Sequence, residues 1–213
     1  MIKLDLKKEF KYLYAPSAKN IELVDVPALQ FAMIDGKVEP GDEPASSSEF
    51  QDALSALYGI SYTLKFSSKQ NKVNPIDYSV MALEGLWWVD SAEFDIDDRS
   101  TTWFFTLMIM QPGHITSEIY KDAHQQLIKK KNQPALAKMR LETFCEGLSI
   151  QTMHIGPYRD EPVTIERMKA FASAKGLNLC GRHHEIYMGD PRRASPEKLK
   201  TILRHPVEPL TPA

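Results

Sequence analysis

Apolar positions along the chain follow two periods. Short apolar or alternating runs predict strands over residues 30–36, 78–88, 102–110, 149–155, 182–188 and 201–205. The run Thr102-Trp-Phe-Phe-Thr-Leu-Met-Ile-Met110 is the longest and reads as one buried strand. Helical spacing takes over elsewhere. Phe50, Leu54 and Leu57 follow Ser48-x-x-Gln51, which resembles a capping box, and Gly59 is expected to stop that helix. Residues 162–175 put Ile165, Met168 and Phe171 on one face, with Pro162 near the start and Gly176 at the end. Two further helices are expected over 117–131 and 134–144, broken at Asn132-Gln-Pro134.

The order strand–helix–strand–strand therefore occurs twice, and the residues repeat with it. Phe31-Ala-Met-Ile-Asp-Gly36 followed by Asp42-Glu-Pro44 is echoed by Gln151-Thr-Met-His-Ile-Gly156 followed by Asp160-Glu-Pro162. The glycines and the triplets are displaced by nearly the same number of positions, and each triplet precedes a helical pattern that runs to a glycine. The expectation is an α+β fold: two strand–helix–strand–strand units, near 21–112 and 145–206, related by a pseudo-twofold axis. Helices should cover one face of a curved antiparallel sheet, and a ligand cleft should open on the other at the pseudo-axis. Residues 1–16 are expected to be an arm, 17–207 one domain with a helical connection over 117–144, and 208–213 a tail.

Composition narrows the class without naming a function. Of 213 residues, 43% are hydrophobic and 25% charged, the balance of a globular chain rather than a disordered or fibrous one. No apolar run reaches the ~20 residues of a membrane-spanning helix, and the start carries no secretory signal pattern. Two cysteines, Cys145 and Cys180, make no disulfide framework, so a cytoplasmic location is expected. A formal charge of −2 argues against nucleic acid as the main partner. The chemistry-bearing motifs searched for are missing. His183 and His184 point to opposite faces of a strand, Asp95-Ile-Asp-Asp98 lacks an EF-hand glycine, and there is no phosphate-binding loop or nucleophile elbow. No metal and no cofactor are expected.

Three stretches carry a family resemblance: Tyr78-Ser-Val-Met-Ala-Leu-Glu-Gly-Leu-Trp-Trp88, His184-Glu-Ile-Tyr-Met-Gly-Asp-Pro-Arg-Arg193 and Ser195-Pro-Glu-Lys-Leu-Lys-Thr-Ile-Leu-Arg-His-Pro206. Together they resemble the GyrI-like small-molecule-binding proteins of the SOUL and multidrug effector-domain superfamily. The resemblance implies a tandem fold with a pocket at the pseudo-axis and ligands that are planar, aromatic and often cationic. It also implies a functional glutamate at Glu185. Relatives of this kind include transcription activators, for whose DNA-binding domain the chain has no room before the first repeat. Others are stand-alone hydrolases of cyclopropane-containing alkylating compounds, or gyrase inhibitors.

The candidate residues follow from strand periodicity. Glu185 and Tyr187 share a face with His183, opposite His184, Ile186 and Met188. If the apolar set packs under the helices, Glu185 faces the cleft as a general base or cation partner, with Tyr187 donating a hydrogen bond. Trp87 and Trp88 must point to opposite faces. Trp88 is chosen for the pocket because its face also carries Glu84. Tyr158, following the Gly156-Pro157 turn, overhangs the strand end, and Trp103 and Tyr58 complete the candidate lining. The expected activity is binding of such compounds with hydrolysis of electrophilic cyclopropanes. The alternatives are a non-catalytic multidrug-binding or sensor protein, or a gyrase-interacting inhibitor.

Overall fold

The computed structural model describes residues 1–90, 94–130, 133–191 and 193–210. The expected helix end at Lys131, the break at Asn132, Arg192 of the family stretch and the tail end 211–213 lie outside them.

The first repeat is β3 (Leu29–Val38), α3 (Ser48–Lys69), β5 (Leu83–Trp88) and β6 (Trp103–Met110). The second is β8 (Gly147–Ile155), α5 (Glu161–Ala174), β10 (His183–Tyr187) and β11 (Lys200–Pro209). With β2 (Glu22–Val26), β7 (Arg140–Phe144) and β9 (Leu177–Leu179) they form a nine-stranded open sheet in the order β2-β8-β11-β10-β5-β6-β3-β7, β9 pairing with β11. Outward from the central β5–β10 pair, one half reads β5-β6-β3 and the other β10-β11-β8. Equivalent strands stand at equivalent distances from the middle, and every pairing in this sheet is antiparallel. This is the expected duplication about a pseudo-twofold axis.

Directly opposed residues in antiparallel strands share a face, so the registers sort the sheet. One face carries His183, Glu185 and Tyr187 with their partners Trp87, Gly85 and Leu83, and beyond them Phe105 and Leu107. Both repeat helices lie on this face. Phe50 of α3 stacks on Trp87 at 5.8 Å, and Thr164 of α5 meets His154 Nδ1 at 2.9 Å. α3 packs on β3 and β6 and α5 on β8, which makes the gap between the two helices, over β5 and β10, the candidate cleft. The expectation that Glu185 faces away from the helices is thus corrected. It lies on the helix side, between them. Both faces of the central strands are buried, so an apolar set at Ile186 did not reveal which face the helices take.

Four element boundaries also change. The capping side chain of α3 is Ser47, accepting from Phe50 N, rather than Ser48. The helix runs through Gly59 to Lys69, because Ile60 and Leu64 continue its buried stripe. A glycine inside a helix costs roughly 1 kcal/mol. Here it leaves room for α4 (Ser117–Lys130), since a Cβ would meet Leu127 Cδ2 at 3.3 Å. The run expected over 78–88 is two strands. β4 (Ile76–Tyr78) pairs parallel with β1 (Ile2–Leu4), and only β5 joins the main sheet. The helix expected over 134–144 is a single 3-10 stretch, Pro134–Lys138, followed by β7, whose backbone pairs along the outer edge of β3.

Residues 1–16, the expected arm, pack on the main core. α1 (Leu6–Glu9) and α2 (Lys11–Tyr14) lie against the sheet face opposite the cleft, burying Leu6, Leu13 and Tyr14. No helix among the described residues is long and apolar enough to cross a membrane.

Candidate functional site

The site is built on the middle of β10. Glu185 is 5% exposed and its Oε1 lies 3.0 Å from His183 Nε2. His183 Nδ1 in turn lies 2.9 Å from His205 Nε2. Burial, then the neighbouring His183, push the His205 pKa well below its ordinary value, so His205 is neutral. A neutral imidazole carries one proton. In either arrangement that satisfies both bonds, His183 Nε2 donates to the Glu185 carboxylate.

Tyr187 stands on the same face two residues on. Its hydroxyl points inward and accepts a 3.0 Å bond from Trp87 Nε1. That meeting needs Gly85: a Cβ there would sit 2.9 Å from Trp87 Nε1 and 3.2 Å from the Tyr187 hydroxyl. Burial, reinforced by the Glu185 charge, raises the Tyr187 pKa well above that of a free phenol. Tyr158, in the 3-10 turn that leads into α5, meets Tyr187 edge to face at 6.0 Å. Its pKa is pushed up to about 12, by burial first and then by Glu185. Phe94 stacks on His183 at 5.3 Å and packs against Trp103 at 4.6 Å. The carboxylate is therefore surrounded by aromatic rings from both repeats.

Glu161 was not anticipated. It opens α5 and is 0% exposed, and neither carboxyl oxygen has a hydrogen-bond partner among the described residues. Its Oε2 lies 3.9 Å from His183 Nε2. A helix N-terminus favours a carboxylate by ~0.3–1 kcal/mol. Burial and the Glu185 charge outweigh that and hold the Glu161 pKa well above the carboxylate range. Thr201 pulls the other way, but its Oγ1 stands outside hydrogen-bonding geometry. The signal in the sequence was the second Asp-Glu-Pro triplet, which had served only to mark the repeat. Its counterpart Glu43 is an exposed partner of Arg99 at 3.0 Å, so the repeat equivalence concealed the difference.

One atom each from Glu161, His183 and Glu185 falls within 4.8 Å of the others. A cation among them would have to displace the His183–Glu185 hydrogen bond. Two ionised carboxyls this close together would leave buried negative charge unbalanced. Protonation of one, or a cationic ligand, supplies the balance.

Two expected pocket residues lie elsewhere. Glu84 is 0% exposed on the opposite face, where it accepts from Tyr14 Oη at 2.6 Å and meets His184 Nε2 at 3.1 Å. His184 Nδ1 reaches Glu146 at 3.0 Å, and Arg204 joins Glu146, Gln151 and the Leu13 carbonyl. Burial opposes the charge on His184, but Glu146 and Glu84 together prevail and hold its pKa at about 9. This network fastens the N-terminal helices to the sheet. Trp88 is also on that face, partly exposed, stacked with Phe104 at 5.8 Å and beneath the Arg182 guanidinium at 3.6 Å. It lines a groove of about 600 Å³ rather than the surroundings of Glu185. Trp87, not Trp88, is the tryptophan on the Glu185 face. Trp103 contributes to the same aromatic cluster through Trp87 at 5.9 Å. Tyr58 stacks on Tyr62 along α3 at 6.4 Å.

Solved structures from Listeria innocua share this fold over their full length. An uncharacterized conserved protein is 39% identical, with a TM-score of 0.85, covering 96% of this chain and 100% of its own. A hydrolase is 37% identical, with a TM-score of 0.82 and the same coverages. A second hydrolase is 38% identical, with a TM-score of 0.84, covering 97% of this chain and 100% of its own. No curated protein is significantly similar in sequence. The sequence matches the GyrI-like small molecule binding domain over residues 19–208, nearly its whole length. With its duplicated open sheet and the repeat helices packed on it, the chain belongs to the GyrI-like small-molecule-binding family.

Proposed function

We propose that the cleft between α3 and α5 captures planar aromatic compounds, cationic or electrophilic, and hydrolyses those that carry an activated cyclopropane. The observation that carries this reading is Glu185, buried and hydrogen-bonded, with Tyr187, Tyr158, Trp87, Phe94 and Trp103 around it. Rings of this kind stack on a flat ligand and stabilise positive charge, worth roughly 0.5–2 kcal/mol per cation–π contact. A cyclopropane conjugated to a dienone is strained and electrophilic. Glu185 takes a proton from water while that water attacks the ring, and Tyr187 orients the water or the substrate carbonyl. Such base catalysis supplies ~10²–10⁴-fold, which suffices for a pre-activated substrate. The hydrolases of similar sequence favour catalysis over binding alone.

The test is product analysis. Incubation with a cyclopropane-fused dienone should yield the ring-opened alcohol, with one oxygen from labelled water. Ligand recovered unchanged from a saturated wild-type protein would leave the non-catalytic binding reading in its place.

A further inference from the structure

Two carboxyls, not one, meet beneath this gap, and their bonding differs. Glu185 accepts from His183 Nε2 at 3.0 Å, so one of its oxygens is held by a donor. Glu161 is buried and, among the described residues, neither of its oxygens meets a hydrogen-bond donor, the arrangement of a carboxyl that keeps its proton. Resting on the hydrolytic reading above, we propose that Glu161 and Glu185 form an acid–base pair sharing one proton, Glu161 as the acid that protonates the substrate carbonyl and Glu185 as the base that activates water.

The groups facing the pair agree with this division. On β10 these are His183 and Tyr187, and on β11 they are Thr201 and neutral His205. Tyr158 stands before α5, and Asp190, in the loop after β10, acts on it. Lys169 of α5 bears on His205. Both tyrosines are held protonated, so neither takes the proton's place as the anion. Burial and the Glu185 charge raise the pKa of Glu161 in the same sense as its bonding.

The step balances. The water oxygen forms a C–O bond to the cyclopropane methylene while the ring C–C bond breaks. The released electron pair passes through the dienone to the carbonyl oxygen, which takes the proton of Glu161 and becomes a phenol. The water proton goes to Glu185. Glu161 is then ionised and Glu185 neutral. Their closest carboxyl atoms lie within 4.8 Å, so one proton transfer between them restores the starting state without an external acid.

The experiment compares pH–rate profiles of the full-length protein with a cyclopropane-fused dienone, alongside infrared difference spectra of the ligand-free protein. Wild type should show a bell, its alkaline limb marking loss of the Glu161 proton. Glu161→Gln should lower kcat by about 10²-fold, leave KM nearly unchanged and abolish the alkaline limb. Glu161→Asp, which keeps the acid, should retain that limb with a lower kcat, and serves should the glutamine variant misfold. The carbonyl band of a buried protonated carboxyl should be present in wild type at neutral pH and absent from Glu161→Gln. An alkaline limb that survives Glu161→Gln overturns the acid role. Turnover without the infrared band overturns the shared proton while leaving the hydrolytic reading intact. The band without turnover overturns the hydrolytic reading and the catalytic use of the pair. Activity abolished by EDTA and restored by zinc overturns the assignment, since a cation would then occupy the place of the proton.

Discussion

In the proposed reaction the role of Glu185 rests on what its immediate neighbours do to it. His183 fixes the orientation of one oxygen, and the aromatic rings keep bulk water from competing for the other. Glutamine keeps the shape but removes the basic oxygen. Glu185→Gln should therefore bind a neutral cyclopropane substrate as wild type does, while hydrolysis drops by at least ~10²-fold in single-turnover assays. The two tryptophans give a second contrast. Trp87 stands on the Glu185 face and Trp88 on the other. Trp87→Ala should weaken binding of a planar aromatic cation, read by titration, and also lower stability by roughly 3–5 kcal/mol because it empties a packed core position. Trp88→Ala should change affinity little. The reverse pattern would move the binding site to the groove beneath Arg182. Residue spacing was enough to pair Glu185 with Tyr187 and to separate the tryptophans. It was not enough to choose between them, because Trp88 had the polar companion Glu84, whose carboxylate turned out to be consumed inside the protein.

At the scale of elements, the N-terminal helices and the central strands are joined by the His184–Glu84–Glu146–Arg204 network. Its charges balance only while His184 is protonated. The pKa of His184, about 9 when folded, exceeds the ordinary imidazole value near 6.5. Its contribution is thus complete below about pH 6.5 and disappears as pH rises through about 9, a loss of roughly 3 kcal/mol. Glu146 has the opposite sign. Burial would raise its pKa, but His184 and Arg204 prevail and lower it, so its contribution is lost in acid below the carboxylate range. Urea unfolding should be hardest in between, and His184→Gln should flatten the alkaline decline. Tyr14→Phe removes the hydroxyl that Glu84 accepts and should cost about 1–3 kcal/mol. None of this was visible in the first sixteen residues alone. Their short, half-polar segments look unstructured until the buried charges that receive them are in place.

At the scale of the whole molecule, the proposed site lies at the junction of two repeats, so ligand binding there would engage both halves. A ligand present at 100 times its dissociation constant should raise unfolding free energy by about 2.7 kcal/mol. Thermal melts with a planar aromatic cation should show a single transition moving upward. Two transitions, with only one displaced, would mean that the repeats unfold separately.

The sequence by itself determined the duplication, the type of the repeat elements and which residues share a strand face, because these are local properties of spacing and turn chemistry. Tertiary structure alone decided which face the helices cover. Both sides of β5 and β10 are buried, so an alternating pattern marks two faces without ranking them. It also decided the partners. Glu161 and Glu185 converge on His183 across the gap between α5 and β10, and Tyr14 meets Glu84 from a segment far earlier in the chain. Such meetings depend on how elements pack, and a buried carboxyl acquires its chemistry only from the neighbours that packing supplies.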